Sequence, residues 1–591
     1  GASPSFCATC ALCTLEGALS ARDLLEAFRG RVESGLAGRT ARMHAPVLMA
    51  WLERLSEDLK GAQDLLPGFD EMVATDQLLR LLEDTWRTAL PMMDDLEEED
   101  IDPTEQELLL LEVWTIYCTA WVLGGGLSVR KRLGIWLLSS LEGENGLPRG
   151  LFALGSEVLS DPENLWKFRV LNTGLGAGEE SATCVKLVSE LLPEPEEIPS
   201  HALFVPAEET EAITLFVSHQ VHVRSRLGFR LSGQRQCGKS ALAEQLVRTS
   251  KMLGCGGELL RCPHRLSAAS FVTFVRERLP RRGAKLLSPM PGSQMCLVVD
   301  DLHLASPAVA EEMRQVADRG SIDAGGAWQA QGLWFGAVSP AGGSERWARH
   351  FVALHFPELS ERSLRELGTR LINQWSVQVP SEDARMLLLQ PSFPDKIVRA
   401  ILEVGSRCGA SLQLPVLDLV RWLRTVGSGA CFVKSCATLQ RLVWHEGMRQ
   451  LGDRLASEDR GSLRSIFEYC GMFLPSGDEE AQPLFADTGD YMEFTDMQHA
   501  QQSLGRLLDG VSNTFDMPLV FFEDMTISVL GALRAMQCAT PWEPGGVLLL
   551  GPVGSGRKTC AAAASALASS SLQRPRSVDL AGLRNEIRQF S

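Results

Sequence analysis

Along the first part of the chain the apolar positions recur every three or four residues. Leu24, Phe28 and Val32 form one such series, and Leu48, Trp51, Leu52, Leu55 and Leu59 another. That spacing places side chains on one face of a helix, so the stretch from Ala18 to about Leu141 reads as all-α. Within it, Leu108 to Leu127 has nearly the length and apolarity of a membrane span, with Glu112 its one charge. The three glycines near its end, the acidic run Asp94 to Asp102 before it and the lack of a second such stretch predict a buried helix instead. The acidic run itself reads as a solvated loop or helix start. Turn residues dominate Glu142 to Pro199, and the proline-rich acidic stretch Leu192 to Pro199 is expected to be a linker.

Beyond residue 200 the pattern changes to short apolar runs, each followed by residues that carry chemistry. One run precedes Gly233, a second is Met295 to Val299 before Asp300 and Asp301, and a third is Leu333 to Val338 before Ser339. Runs of this length read as buried strands. Helical spacing returns from Leu359 to Phe473. Gly546 to Leu550 is again a strand, and a glycine-rich loop and an alanine-rich helix follow it. The chain is thus expected to be a tandem array.

The residues between strand and helix decide what the array does. Gly233, Gly238, Lys239 and Ser240 fit Gly-x-x-x-x-Gly-Lys-Ser/Thr, with a helix-forming run from Ala241 to Val247 after them. This is a P-loop: glycines let backbone wrap an anion, the helix start points N–H groups at phosphates, Lys239 reaches the β and γ oxygens, and the Ser240 hydroxyl suits Mg²⁺. Asp300 and Asp301 end the next strand as a Walker B pair, Asp300 for the Mg²⁺ water shell and Asp301 to orient or deprotonate the attacking water. Ser339 occupies the tip of the third strand, where a residue that senses the γ-phosphate is expected. Arg346 and Arg349 follow, either as a finger reaching a neighbouring module's nucleotide or as a solvated basic face. In the second loop Gly551, Gly554 and Gly556 repeat the glycines, but Arg557 stands where the lysine belongs, Lys558 where Ser/Thr belongs, and Thr559 one position late. Phosphate binding is expected there; ordinary Mg²⁺ placement is not.

Composition narrows the partners. At about 150 residues per domain, 591 residues require several domains. Apolar residues at 45% and charged residues at 22% are globular values, and a net charge of −17 argues against nucleic acid as a partner. With no apolar leader at the start, the fifteen cysteines read as reduced thiols of an intracellular protein. Cys7, Cys10 and Cys13 have metal-ligand spacing without an evident fourth ligand, and Cys255, Cys262 and His264 form a second such group; both are read as structural.

The order P-loop, Walker B, sensor strand, arginines and helical block resembles AAA+ ATPases, and the words used resemble the dynein heavy chain. Val205-Pro206 with Thr210 is similar to that family's segment before the P-loop of its third module. His264 to Ser270 is similar to its N-F-S strand, and Asp300 to Leu304 to its D-D/E-I/L-N-L/M-P motif. Arg346 to Phe351 resembles R-F-L-R-H-F, and Trp444-His445-Glu446 with Arg449, Asp453, Arg454 and Leu455 resembles W-x-H-E-x-x-R-x-x-x-D-R-L. Met517 to Asp524 resembles the strand opening the fourth module, the GSGRKT loop the axonemal G-S-G-R-Q-S, and Trp121 to Gly125 the W-S-x-G-G at the end of the second module.

The resemblance implies an α/β fold of tandem AAA+ P-loop NTPase modules, parallel-sheet large subdomains alternating with all-α lids. Residues 1–199 would be the lid of a preceding module plus linker, 200–357 a large subdomain, 358–480 its lid, and 481–591 the start of the next large subdomain. It implies ATP/ADP and Mg²⁺ as ligands, with Val205, Pro206 and Ser339 beside the nucleotide. It also implies neighbouring AAA+ modules as partners. Dynein intermediate and light chains and microtubules would be engaged through regions outside this chain, with no nucleic acid or membrane, in the cytoplasm, cytoskeleton or ciliary axoneme. The chain departs from the family where Ser339 replaces a sensor asparagine, Leu414 replaces a lid arginine, and Asp301 is shorter than glutamate. These departures predict nucleotide binding with slow, regulatory or absent hydrolysis. A nucleotide-insensitive scaffold and a midasin-type remodelling ATPase stay open as alternatives.

Overall fold

The computed structural model describes residues 20–60, 70–89, 105–127, 130–142, 146–171, 185–192, 204, 206–234, 237–263, 265–289, 293–323, 327–339, 345–408, 415–452, 455, 461–472, 484–487, 491–494, 496–510, 519–537, 549 and 551–568. Cys7, Cys10, Cys13, Asp94 to Asp102, Val205, His264 and Leu414 lie outside them. The chain divides into two compact units, Gly1–Glu194 with Pro206–Leu359, and Pro195–Val205 with Ser360–Ser591.

The first unit opens with helices α1 (Ala21–Glu33), α2 (Arg39–Met43), α3 (Ala45–Lys60), α4 (Glu71–Ala89), α5 (Glu105–Gly124) and α6 (Lys131–Leu141). Ser20 caps α1 and Asp23 returns the bond to complete a capping box. Helix α5 is apolar on every side because it is the core: α4 and a later helix cover it, and residues from Leu110 to Gly124 are buried. Its one mid-helix charge is satisfied, since Glu112 accepts from the Gly150 backbone at 2.8 Å and meets His44 Nε2 at 3.1 Å. A membrane span is not needed to explain the composition.

The described residues between 146 and 192 hold more regular structure than the turn residues there suggest. Pro148 starts helix α7 (Pro148–Leu159), which packs on α5, and β1 (Phe168–Val170) pairs antiparallel with β2 (Val185–Leu187). Proline at a helix start costs no hydrogen bond, so what reads as a breaker is here an initiator. Gly155, at φ 70°, kinks the helix.

Next come α8 (Glu208–His222), β3 (Gly228–Gly233), α9 (Lys239–Met252), β4 (Gly256–Arg261), α10 (Ala268–Arg278), β5 (Arg281–Gly283), β6 (Leu286–Leu287), β7 (Met295–Asp300), α11 (Pro307–Arg319), β8 (Ser321–Asp323), β9 (Ala327–Ala330), β10 (Leu333–Val338), α12 (Glu345–Ala348) and β11 (Phe351–Phe356). Five strands form a parallel sheet in the order β11-β3-β10-β7-β4. Every residue of β7 is buried. Met295, Leu297 and Val299 pack with Phe271 and Val275 of α10 and Val309 and Met313 of α11. The alternate residue Cys296 meets Ser250 of α9 on the other face. A strand covered on both faces needs a continuous apolar run, which is why the run was legible. The segment compared with an N-F-S strand is not strand where described: β4 stops at Arg261, opposite Asp300, and Ser267 caps α10. Strands β5, β6, β9 and β8 make a small side sheet.

The sheet rests on the end of α5. Gly125 accepts from the His355 backbone at 2.6 Å, and a Cβ on Gly125 would lie 2.8 Å from the Ala353 carbonyl oxygen. Arg130 donates to the Gly124 and Gly125 carbonyls at 3.1 Å each and lies over the rings of Trp121 and Trp166. The Trp121 to Gly125 segment is therefore a close backbone approach between helix end and strand.

The second unit contains α13 (Glu361–Ser376), α14 (Glu382–Leu388), α15 (Ser392–Cys408), α16 (Pro415–Ser428), α17 (Cys436–Gly447) continuing as a π turn to Gly452, and α18 (Ser462–Tyr469). A hairpin of β12 (Leu484–Asp487) and β13 (Tyr491–Phe494), then α19 (Met497–Gly510), α20 (Glu523–Gln537) and α21 (Arg557–Leu567), follow among the described residues. Trp422 is fully buried, stacks on Phe467 and donates to the Val443 carbonyl at 2.9 Å. Gly447 is required by that ring, because a Cβ there would strike it.

Candidate nucleotide site

The loop between β3 and α9 has the backbone that a P-loop needs. Gly233 has φ 139°, and a Cβ there would meet the Phe356 carbonyl oxygen at 2.6 Å. Gly238 caps α9 in the left-handed region at φ 107°. Both demands exclude other residues, and they turn the start of a long helix toward the loop. Lys239 Nζ lies over this loop, donating to the Gly233 carbonyl at 3.1 Å and to the Gln234 carbonyl. Its ammonium is thus held where phosphates would approach the α9 N-terminus.

The Walker B strand delivers its acids to the same end of the sheet. Asp300 is 2% exposed and shares a hydrogen bond with the Ser240 side chain. Burial pushes its carboxyl above the usual range; the Ser240 bond opposes this, Asp301 adds to it, and Arg261 opposes it. A hydroxyl and a carboxylate in contact are hard oxygen donors, a set that fits Mg²⁺ once phosphate oxygens and water complete it. Among the described residues no cluster of three His, Cys, Asp or Glu could hold a metal unaided. Asp301 is exposed, at φ 55°, and its N–H donates to Asp300 Oδ1 at 3.0 Å. Its side chain therefore projects from the strand end while Asp300 faces Ser240. Ser339 is buried at the end of β10, and its N–H donates to the Leu231 carbonyl of β3 at 3.0 Å. Pro206 is described just before α8.

Sequence reasoning did not identify Arg261. The β4–β7 register sets it beside Asp300, and its guanidinium donates to Glu244 of α9 at 3.1 Å. A basic residue ending the strand next to the acids was the available signal.

The raised pKa gives a signed expectation. A carboxyl whose folded pKa exceeds its unfolded value costs stability once ionised, so that stability is lost as pH rises from the unfolded value through the folded one. Asp300→Asn is expected to raise the neutral-pH melting temperature of the metal-free chain and to abolish any added stabilisation by Mg²⁺ with ATP. Thermal melts with and without Mg²⁺ check this; an unchanged Mg²⁺ increment in the variant would remove Asp300 from the metal site.

Arg349 sits at the opposite end of the strands. Phe351 pairs with Gly228 and Phe356 with Gly233, so the residue before β11 is separated from the P-loop by five strand steps, roughly 17 Å. Both oxygens of Asp318 accept from Arg349 Nη2 at 2.8 Å, and His350 Nε2 accepts from Arg349 Nε at 2.9 Å. Burial depresses the His350 pKa to about 4, with Asp318 opposing, so it is neutral at pH 7. Gln77 of α4 holds the corner from behind, donating to the Ala348 and Phe351 carbonyls at 3.0 and 2.9 Å. Only the backbone of Arg346 is described. A cavity of about 680 Å³, lined in part by Arg226, Asp318, Trp334 and His350, opens at this edge, away from the P-loop.

In the second unit Gly556 caps α21 in the left-handed region at φ 77°, as Gly238 caps α9, and Gly554 has φ 87°. Gly551 is described and would crowd Ser555 if it carried a Cβ. Matching the caps puts Arg557 at the place of Lys239 and Lys558 at that of Ser240. Thr559 is one residue on, turned roughly 100° around the helix. The cradle is repeated without the hydroxyl at its Mg²⁺ position.

Residues 192–359 match the family described as the P-loop containing dynein motor region. Over 568 residues the chain is 22% identical to human dynein axonemal heavy chain 1, covering 84% of this chain and 13% of that protein. It is 23% identical over 419 residues to human dynein axonemal heavy chain 6, covering 61% and 10% respectively. The chain therefore spans a small part of the relatives it matches. Among solved structures, a RuvB variant from Thermotoga maritima aligns with 15% identity and a TM-score of 0.29 over 44% of this chain and 76% of that one.

Proposed function

We propose that this chain, a divergent dynein heavy chain with an AAA+ P-loop motor region, serves as an ATP-binding, regulatory part of a motor ring. In this reading residues 200–357 and 358–480 are the large subdomain and lid of the third module, 1–199 holds the lid of the second with its linker, and 481–591 begins the fourth. The contact of Ser240 with Asp300 behind Lys239 supports it most, because that trio joins phosphate, metal and strand end. ATP or ADP with Mg²⁺ is the ligand. Hydrolysis is slow or absent, since Asp301 is a short base and Leu414 stands where the family's lid arginine would be. The module acts as a relay whose nucleotide state gates microtubule release elsewhere in the ring. Its partners are the neighbouring modules. Intermediate and light chains and microtubules are reached through other regions, in the cytoskeleton or a ciliary axoneme.

Arg557 and Lys558 favour the second reading, a nucleotide-insensitive scaffold, for the second loop alone. Two guanidinium or ammonium groups can attract phosphate, but neither supplies an oxygen ligand to Mg²⁺.

Arg346 and Arg349 act across the module boundary, on nucleotide held by the second module. The separation of Arg349 from its own P-loop supports this direction. Replacing both arginines by alanine in a complete heavy chain is expected to reduce turnover at the second module by about a hundredfold or more while leaving nucleotide affinity at the third unchanged. Site-resolved binding and turnover measurements check this. Weakening confined to the third module would defeat the trans assignment, and no change at either would leave a solvated edge.

A further inference from the structure

The first phosphate loop leans on the far end of β11. A Cβ on Gly233 would meet the Phe356 carbonyl oxygen at 2.6 Å, and one on Gly238 would touch the tip of the Phe356 ring at 3.7 Å. Two residues on, the exposed Glu358 accepts from Gln234, the residue after Gly233. The course of the loop therefore depends on where Phe356 and Glu358 lie. One residue before Phe356, the His355 carbonyl accepts from Arg130 Nη2 at 3.4 Å. The same nitrogen donates at 3.1 Å to the Gly125 carbonyl, which also receives the His355 N–H at 2.6 Å. Arg130 Nε holds the Gly124 carbonyl at 3.1 Å, and the guanidinium lies 5.3 and 5.6 Å from the ring centres of Trp121 and Trp166. Trp166 is itself fixed, donating to the Ala120 carbonyl at 2.7 Å. Burial lowers the Arg130 pKa to about 10, so the group stays cationic at pH 7. Burial also lowers the His355 pKa, and Arg130 and Lys239 act the same way, so that ring is neutral near both cations.

We propose that Arg130 is a positioning residue for the first phosphate loop: by tying the His355 carbonyl to the end of α5, it fixes the strand end on which Gly233 and Gly238 rest. The consequence reaches beyond the loop. Arg130 stands between α5 and α6, so this helical segment sets nucleotide affinity without touching nucleotide. Bound nucleotide in turn steadies the segment, because a coupling between two sites is reciprocal. The inference rests on the reading that this loop takes ATP. The fork is the feature that matters: lysine would keep the charge over the two rings but place one nitrogen where arginine places a planar, many-donor group.

The test compares Arg130→Lys with Leu137→Ala, a buried position further along α6 that controls for lost stability, both in the full chain. Without nucleotide, hydrogen–deuterium exchange in peptides covering 228–247 is expected to rise at least about fivefold in Arg130→Lys and less than about twofold in Leu137→Ala. Binding of a fluorescent ATP analogue should weaken at least about tenfold in Arg130→Lys and less than about twofold in Leu137→Ala. Unchanged exchange in 228–247 of a folded Arg130→Lys chain, or equal effects of the two variants, would overturn the positioning role. Raised exchange in 228–247 of Arg130→Lys, with no analogue bound by the unmodified chain, would uphold the clamp and overturn the ATP reading instead. Should Arg130→Lys not fold, the unmodified chain decides. Mg²⁺·ATP should then slow exchange in 121–130 and 351–358 at least about threefold, and no slowing in 121–130 would overturn the clamp.

Discussion

Lys239→Ala should lower the affinity of the chain for ATP at least about a hundredfold while leaving the fold intact. The ammonium is the charge that the first loop offers to the β and γ oxygens, and charge-assisted bonds in a partly dry site contribute about 1.5–3 kcal/mol each. Since tenfold in affinity is about 1.4 kcal/mol, loss of one or two such bonds reaches the stated size. The side chain donates only to loop carbonyls and to the Cys237 sulfur, so its removal leaves no buried carboxylate unpaired. Titration with a fluorescent ATP analogue, beside circular dichroism of both proteins, checks this. Equal affinity would remove the first loop as the site.

Gly125→Ala is expected to destabilise the first unit by about 3 kcal/mol, the range of severe overpacking. The new methyl would lie 2.8 Å from the Ala353 carbonyl oxygen in an edge strand of the sheet. The neighbouring contacts cannot yield cheaply: His355 donates to Gly125 itself, and Arg130 clamps the same carbonyl. Lifting α5 from the sheet would break the His355 bond and still leave the methyl 2.4 Å from the Trp121 carbonyl oxygen within the helix end. Because β11 pairs along its whole length with β3, the strand feeding the P-loop, nucleotide affinity should fall as well. Chemical denaturation of glycine and alanine forms measures the loss, and a change below about 0.5 kcal/mol would show that the approach is not tight.

What was legible in the sequence is what local physics writes there. The first helices announce themselves by apolar spacing, β7 by an unbroken apolar run, and the P-loop by Lys239, Ser240 and the glycines Gly233 and Gly238, whose conformations other residues would not tolerate. The misreadings have a common cause. Pro148, among the turn residues between Glu142 and Pro199, is the first residue of a helix, a role that depends on α7 packing against α5. Strands β5, β6, β8 and β9 are too short to show a period. Gln77 and Asp318, which hold the corner carrying Arg349, carry no motif: Gln77 contacts carbonyls 271 and 274 residues away, and only the fold brings them together.

The first P-loop is expected to hold ATP with Mg²⁺ and to turn it over slowly or not at all. Incubating the purified chain with labelled Mg²⁺·ATP, removing free nucleotide and identifying what remains bound over hours tests both halves together. Close to one nucleotide per chain is expected, retained mainly as ATP and lost in Lys239→Ala. No retained nucleotide, or rapid steady conversion to ADP by the unmodified chain, would contradict it.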